Sequence, residues 1–299
     1  RAHILYTPMT PDSYTGRFAP SPTGPLHLGS LLTALASYLD ARSRNGIWLV
    51  RMEDLDPPRE MPGAADSILR TLEQYGLHWD GEVAFQSHRH ALYEDAVQQL
   101  LQQQQAFYCT CSRKDLQLLG AQSYPGTCRH QHTIPHAEFA IRAQVNDTPI
   151  TFDDALQGRY SFNLFTDGGD FIIKRKDGLY AYHLAVVIDD AAQNISHIVR
   201  GSDLLDSTPR HIHLQHLLGL PTPHYAHLPV IVNAQGQKLS KQTFAAALPA
   251  TDPVPALFAC LHALGQNPPA ELQQAGRDEL LRWGIAHWSL QKVPHCAAL

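Results

Sequence analysis

The segment GRFAPSPTGPLHLGS, residues 16–30, places three prolines and three glycines between a short apolar run and a long helical pattern. Proline keeps a loop stiff, and glycine lets a ligand approach the backbone closely. The pattern predicts a strand-to-helix turn whose helix begins near Leu28, with free N–H groups and a positive dipole end that suit a phosphate. His27 adds a ring N–H at the same place. A rigid turn with an incidental histidine would have a similar sequence, so this segment alone does not establish a phosphate site.

The residues after this turn predict a β-α-β order. Apolar side chains fall on one helical face over 28–39, and Asn45-Gly46 ends that helix. The next run, IWLVRM at 47–52, is nearly all apolar, which is typical of a parallel strand covered on both faces. Together these elements predict a right-handed βαβ unit. Two further helices are expected near 62–75 and 90–105.

The second half of the chain repeats this alternation after a stretch of different character. Residues 107–165 contain cysteines, histidines and short strands but few long periodic segments. The patterns that follow predict, in order, a hairpin over Asp177-Gly178 leading into a helix, a strand at 197–201, a helix from Ser207 to near Gly219, a last strand at 229–233, and helices after about 243. This order is typical of a nucleotide-binding α/β fold split by an insert.

A second polar motif, GQKLSKQ at 236–242, follows the last predicted strand. Open α/β sheets bind ligands beyond the carboxyl ends of their strands. Lys238 and Lys241 could therefore hold a triphosphate while charge builds during phosphoryl or nucleotidyl transfer. Two lysines on a polar loop are otherwise a solvated face.

The cysteine pattern predicts a metal site. One residue separates Cys109 from Cys111, and Cys128 follows seventeen residues later in an insert with little apolar core. A structural Zn²⁺ can replace such a core, and its chemistry alone offers His130 or His132 as the fourth ligand. Five cysteines in all suit a reduced compartment better than a disulfide framework, so we expect a cytoplasmic protein.

The formal net charge is −5, which argues against a broad surface that coats nucleic acid. Any RNA partner must then be met by local basic patches. No apolar run approaches the length of a membrane span, so we expect no membrane partner, and we expect a monomer.

Four motifs in order identify a resemblance to a known family. HLGS and KLSK resemble the HIGH and KMSKS signatures of class I aminoacyl-tRNA synthetases. The opening segment and RMEDLDPPR (51–59) are similar to the glutamyl branch, and YHLAVVIDD (182–190) and VRGSDLLDSTPR (199–210) continue the match. The resemblance covers nearly the whole chain to about residue 245. One departure is Ser30, which stands where the signature has its second histidine.

The resemblance implies an α/β fold with a class I synthetase Rossmann-type parallel sheet, a zinc-bearing insert and a small helical domain. The expected units are a first catalytic half at 9–106, an inserted zinc-binding and acceptor subdomain at 107–165, a second catalytic half at 166–242, and a helical stem-contact domain at 243–299.

The resemblance also implies a glutamate site, and the chemistry of the residues supports it. An arginine fork matches a carboxylate bidentately, and a carboxylate such as Glu53 can bind the substrate ammonium. The residues expected to bind glutamate are Arg17, Phe18, Ala19, Pro20, Ser21, Glu53, Tyr182 and Arg200. For Arg51 and Arg59 an ordinary salt bridge is the preferred interpretation.

ATP and Mg²⁺ are the implied co-substrate and ion, with no protein nucleophile. The residues expected to bind ATP are His27, Gly29, Ser30, Asp203, Lys238, Leu239 and Lys241, of which His27, Lys238 and Lys241 would be catalytic. For the metal site, related shortened synthetases pair C-x-C with Y-x₃-C, which implies Tyr124 as the fourth zinc ligand beside Cys109, Cys111 and Cys128.

The acceptor is implied by the length that follows Lys241. Only 58 residues remain (299 − 241), enough for a stem-contact domain but not for a separate anticodon-binding domain. The chain thus resembles shortened synthetase paralogues that attach glutamate to the queuosine base in the anticodon stem-loop of tRNA(Asp). Alternatives are glutamylation of the 3′ end of tRNA(Glu), a small-metabolite adenylyltransferase, and a non-catalytic tRNA-binding paralogue.

Overall fold

The structure is a computed structural model that describes residues 13–118, 123–233, 235–238 and 246–299. Its first half forms the predicted βαβ unit. Strand β1 (Thr15–Phe18), helix α1 (Leu28–Arg42) and strand β2 (Ile47–Met52) follow one another, and β1 pairs with β2 in parallel. A short third strand, β3 (Ala84–Phe85), extends this sheet on the far side of β2.

The second half supplies two more parallel strands that lie beside β1. Strands β9 (His197–Gly201) and β10 (His224–Leu228) pair in parallel over five residues. The Ser196 N–H donates to the Thr15 carbonyl at 2.9 Å, which places β9 against β1. The strand order therefore reverses between β1 and β9, and open α/β sheets bind their ligands outside such a reversal.

One predicted strand is misplaced. The expectation was a strand at 229–233, but pairing runs through β10 and stops before Pro229, which has no N–H to donate. Beyond it, Val230 and Val232 make only isolated bridges. The sequence HYAHL looks too polar for an interior strand, yet His227 is fully buried because a carboxylate from a neighbouring strand pairs with it.

The region between the two halves forms two further β structures. Strands β4 (Ala106–Cys109), β5 (Ala140–Ala143) and β8 (Phe171–Lys174) form an antiparallel sheet. Strands β6 (Ile150–Asp154) and β7 (Gly158–Phe162) form a hairpin that joins the edge of β10. The predicted turn over Asp177-Gly178 is present, with a single bridge between Lys174 and Tyr180.

The remaining helices cover the sheets. Most of the helices predicted from periodicity are confirmed, with bounds α2 (Ala64–Gln74), α3 (His90–Gln102), α5 (Tyr182–Ala192), α6 (Thr208–Leu218), α7 (Val254–Ala263) and α8 (Arg277–His287), to which the short α4 (Arg113–Leu118) is added.

Helices α7 and α8 pack on α1 in one apolar core, where Leu39, Leu257 and Leu280 are fully buried. A polar contact supports the same packing, because Asp40 accepts hydrogen bonds from Tyr14 at 2.6 Å and from Trp288 at 2.9 Å. Among the helices in the described part of the chain, none combines the length and the apolar character needed to cross a bilayer.

Candidate active site

A cavity of about 860 Å³ opens at the carboxyl ends of β1, β2 and β9. It is lined by every residue that the sequence assigned to glutamate or ATP and that the structure describes: Arg17, Phe18, Ala19, Pro20, Ser21, His27, Gly29, Ser30, Glu53, Tyr182, Arg200, Asp203 and Lys238. Leu239 and Lys241 lie outside the described residues. Tertiary structure therefore brings residues as far apart in the chain as Arg17 and Lys238 to one cavity, at the place where the strand order reverses.

His27 is the N-cap of α1. Its Nδ1 accepts hydrogen bonds from the N–H groups of Gly29 at 3.1 Å and Ser30 at 3.3 Å. Burial, together with the positive charge of Lys238, lowers the pKa of His27, so the ring is neutral. A neutral imidazole that accepts at Nδ1 carries its proton at Nε2. His27 therefore has a ring N–H donor left for a ligand in the cavity.

Ser30 completes the cap from the other side. Its Oγ accepts from the His27 N–H at 2.9 Å and donates to the His27 carbonyl at 2.9 Å. The two residues thus form a reciprocal capping box. Although Ser30 departs from the family signature, its hydroxyl holds the backbone of the first signature histidine in place.

Arg17 and Arg51 share one buried carboxylate. Nε and Nη2 of Arg17 donate to the two oxygens of Asp190 at 3.0 and 3.2 Å, and Nη2 of Arg51 donates to Asp190 at 2.8 Å. Burial alone would raise the pKa of Asp190, but the two guanidinium groups hold it below its usual value. The charge of Arg17 is therefore partly compensated within the protein, and its Nη1 has no hydrogen-bond partner among the described residues.

Glu53 follows β2 at the cavity wall, with 8% of its side chain exposed. Burial raises the pKa of Glu53 to about 7, although Arg51, 3.4 Å away, and Arg17 favour its charged form. A substrate ammonium would favour the charged form further. Glu53 can thus change between neutral and anionic near physiological pH.

Asp189, the neighbour of Asp190 in α5, binds groups from α3 and the preceding turn. It accepts from Tyr93 at 2.6 Å, from Gln86 at 2.9 Å and from Arg89 at 2.5 Å. Both aspartates lie in the motif YHLAVVIDD (182–190), but the sequence predicted no role for either of them. Two carboxylates at the end of an otherwise apolar helix were the available signal, because a buried charge requires partners.

Arg200 is only 3% exposed and has neutral partners. Nε donates to His227 Nε2 at 3.1 Å, and Nη2 donates to Thr208 Oγ1 at 2.8 Å and to His211 Nδ1 at 3.2 Å. The Tyr182 hydroxyl lies 3.5 Å from Nη1. Within the described ranges, no carboxylate forms a salt bridge with Arg200. Sequence reasoning identified Arg200 and Tyr182 but not the other three partners.

Lys238 and Asp203 form an ion pair at the cavity rim. Arg59 also lines the cavity and pairs with Asp56 at 2.6 Å, which fits the ordinary salt bridge expected for it. Arg51 also forms the expected salt bridges, with Asp190 at 2.8 Å and with Glu53 at 3.4 Å, but it is completely buried.

Three cysteine sulfurs lie together at the end of β4. The Sγ atoms of Cys109, Cys111 and Cys128 lie within 4.8 Å of one another, and the last two are 3.6 Å apart. Tetrahedral Zn²⁺ with Zn–S bonds of about 2.3 Å places sulfurs about 3.8 Å apart, so the group fits this ion. The Tyr124 hydroxyl lies 3.5 Å from Cys109 Sγ and accepts from the Cys128 N–H at 2.9 Å.

His130 and His132 are exposed, and no histidine of the described ranges joins this sulfur group. Arg142 lies beneath it, with Nε 3.3 Å from Cys109 Sγ and the guanidinium 4.0 Å from the centre of the Tyr124 ring. The geometry therefore favours Tyr124 over the histidines as a fourth donor.

Comparison with known proteins identifies the family. Residues 14–280 match the family described as tRNA synthetases class I (E and Q), catalytic domain, and the chain belongs to this family. It is 54% identical to a protein of Ectopseudomonas mendocina and 55% identical to one of Pseudomonas aeruginosa, each named glutamyl-Q tRNA(Asp) synthetase. The alignments cover 96% of this chain and 97% and 98% of those proteins.

Two solved structures are similar over 96% of the chain. One is a glutamate tRNA ligase from Elizabethkingia meningosepticum in complex with its amino acid, with a TM-score of 0.80 and 27% identity. The other is a glutamate-tRNA synthetase from Elizabethkingia anophelis, with a TM-score of 0.77 and 28% identity. This chain spans 66% and 68% of their lengths, about two thirds in each case.

We predict that Ser30→Ala lowers the free energy of unfolding by about 1 kcal/mol, because the N-cap of α1 loses its reciprocal bond. Ser30→Thr keeps the hydroxyl and should remain close to the unsubstituted protein. Urea denaturation of the three proteins measures the difference. Equal stability of the alanine and threonine variants would contradict a capping role for this side chain.

Proposed function

We propose that this chain activates L-glutamate with ATP and transfers the glutamyl group to the queuosine base of tRNA(Asp). The observation that carries the proposal is Arg200, a buried arginine with no salt bridge to any described residue, which faces the same cavity as Glu53 and the capped helix end at His27. Such a cavity suits an amino acid with two carboxylates beside a nucleotide. The relatives at 54–55% identity bear the name of this activity.

The amino acid would lie between Arg17 and Arg200, the two buried arginines that line the cavity. Arg200 binds the side-chain carboxylate, and the remaining Nη1 of Arg17 contributes a second donor. Glu53 accepts hydrogen bonds from the ammonium, and the Tyr182 hydroxyl assists. The stiff loop formed by Phe18, Ala19, Pro20 and Ser21 supplies the wall of the site.

The nucleotide would lie at the N-terminus of α1. Nε2 of His27 and the positive dipole end of α1 face its phosphates, with Lys238 and Lys241 adding positive charge. The N–H groups of Gly29 and Ser30 stay bonded to Nδ1 of His27. Mg²⁺ bound to the triphosphate would neutralise further charge. An oxygen of the glutamate α-carboxylate attacks the α-phosphorus, the bond to the β-phosphate oxygen breaks, and pyrophosphate leaves.

We assign Lys238 to the phosphates of ATP and Asp203 to its ribose, and both roles require the ion pair between the two side chains to open. The side chains are 45% and 37% exposed, so this pair contributes little stability.

In the transfer step, a hydroxyl of the cyclopentene-diol ring of queuosine attacks the glutamyl carbonyl, and AMP leaves with the electron pair of the broken bond.

The insert and the C-terminal helices would support this chemistry without taking part in it. We assign one structural Zn²⁺ to Cys109, Cys111, Cys128 and Tyr124 within the insert at 107–165. The helices within 243–299 would form a small domain that contacts an RNA stem.

Glutamylation of the 3′ end of tRNA(Glu) is the second candidate, favoured by the likeness to glutamate tRNA ligases at 27–28% identity. The test offers labelled glutamate and ATP to purified tRNA(Asp) with queuosine, tRNA(Asp) without it, and tRNA(Glu). We expect label only on the first, in an ester released by mild base. Label on the terminal adenosine of tRNA(Glu) at an equal or higher rate would favour the second candidate.

We predict that the KM for glutamate rises as the pH falls through about 7, because Glu53 becomes protonated and loses its attraction for the ammonium. Glu53→Gln should raise this KM at every pH and remove most of its pH dependence. Glutamate-dependent exchange of pyrophosphate with ATP measures both effects.

The matched control is Glu73→Gln, since Glu73 is exposed on α2, outside the cavity. It should keep the pH profile of the unsubstituted protein. If the KM for glutamate of Glu53→Gln still rose at acidic pH, the pH dependence would belong to another group.

We predict one bound zinc per chain, measured by elemental analysis of protein purified without chelator. Cys128→Ser should lose the metal and lower the stability of the insert, because the ion replaces an apolar core there. Cys296→Ser is the matched control and should retain it. If Tyr124→Phe kept zinc while His130→Ala lost it, the fourth ligand would be the histidine.

A further inference from the structure

The shell around Arg200 contains three uncharged acceptors. His227 Nε2, Thr208 Oγ1 and His211 Nδ1 receive hydrogen bonds from the Nε and Nη2 edge of the guanidinium at 2.8–3.2 Å. Among the described residues, this edge contacts no carboxylate. Thr208 and the two histidines are themselves at most 1% exposed, so no bulk water screens the charge on this side.

A carboxylate fixes the tautomer of His227. Asp154 Oδ2 lies 2.5 Å from His227 Nδ1, and a carboxylate can only accept there, so the proton is on Nδ1. Asp154 is held in turn by the backbone N–H groups of Leu156 and Gln157 at 3.0 and 2.9 Å. Nε2 of His227 is therefore a lone-pair acceptor for Arg200, and a second imidazole proton there would face the cation directly.

His211 has the opposite tautomer. Its Nδ1 accepts from Arg200, so the proton is on Nε2, which donates to His183 Nδ1 at 3.0 Å. Burial first, and then the charge of Arg200, keeps the pKa of His211 well below its usual value. The pKa of His183 is likewise lowered, to about 4, by burial and by Arg210 and Arg200. This side of the shell is neutral as well.

Arg17, the other buried arginine that lines the cavity, is held by a charged group instead. Arg17 donates hydrogen bonds from the same Nε and Nη2 edge of its guanidinium, but to the carboxylate of Asp190. One arginine is thus oriented by a carboxylate that offsets part of its charge, and the other is oriented by neutral groups. A ligand carboxylate gains more at Arg200, whereas a carboxamide, which has no net charge, gains much less.

We propose that His211, His227 and Thr208 are positioning residues that determine specificity. They hold the fork of Arg200 without neutralising it, and this makes the site select glutamate over glutamine. The inference rests on the proposed function, because it concerns the amino acid of that reaction. It assigns discrimination to Arg200 and to the neutral groups that contact it, because among the described residues no carboxylate touches Arg200 and Asp154 is separated from it by the ring of His227.

The test compares His211→Asn with His211→Asp, two variants of equal size that both offer an oxygen near the position of Nδ1. The asparagine keeps a neutral acceptor and should leave the KM for glutamate within about threefold. The aspartate adds a counter-ion and should raise that KM roughly 10- to 100-fold, with the KM for ATP unchanged. The preference for glutamate over glutamine in pyrophosphate exchange should fall by a similar factor.

Thr208→Asn and Thr208→Asp repeat the comparison from the second acceptor, and thermal unfolding identifies which variants are folded. Either folded pair decides the inference. Equal glutamate KM and equal discrimination in the asparagine and aspartate members of a folded pair would overturn it. Absence of glutamate-dependent exchange in the unsubstituted protein would instead overturn the proposed function.

Discussion

The architecture of the cavity depends on one buried carboxylate. Asp190 belongs to α5 in the second half of the chain, and it binds Arg17 of β1 and Arg51 of β2 in the first half. All three side chains are at most 5% exposed, so each charge would be costly without the others. Removing one partner of such a pair typically costs about 3–5 kcal/mol. The network therefore fixes the two halves in register where the strand order reverses.

The same network separates the tasks of the two arginines. Arg17 is oriented by an anion and contributes geometry, while Arg200 is oriented by neutral imidazoles and a hydroxyl and contributes charge. Glu53 lies between these environments, and burial raises its pKa to about 7. The cavity thus presents a buried cation held by neutral groups and an adjustable anion, two features that a zwitterion with an extra carboxylate requires.

Much of the fold could be predicted because the chain is locally consistent. The proline- and glycine-rich loop, the periodic α1 and the apolar β2 each indicate the structure that they adopt, and the cysteine spacing indicated a metal site that the sulfur geometry fits. The exception was β10, whose two histidines concealed an interior strand. The hydrogen-bond partner of His227 is Asp154, which lies 73 positions earlier in the chain, so no local sequence pattern contains both residues.

The sequence by itself determined the family, the loop at the helix N-terminus and the residue types that an amino acid and a nucleotide require, because motifs encode local backbone and functional groups directly. Only the tertiary structure decided which buried charges are paired. Asp190 pairs with Arg17, His211 and His227 hold Arg200 without pairing its charge, and Ser30 completes the N-cap at His27. Electrostatic compensation depends on distance and burial in three dimensions. Arg17 contacts Asp190, and Arg17 and Arg200 line one cavity, only when the sheet has formed.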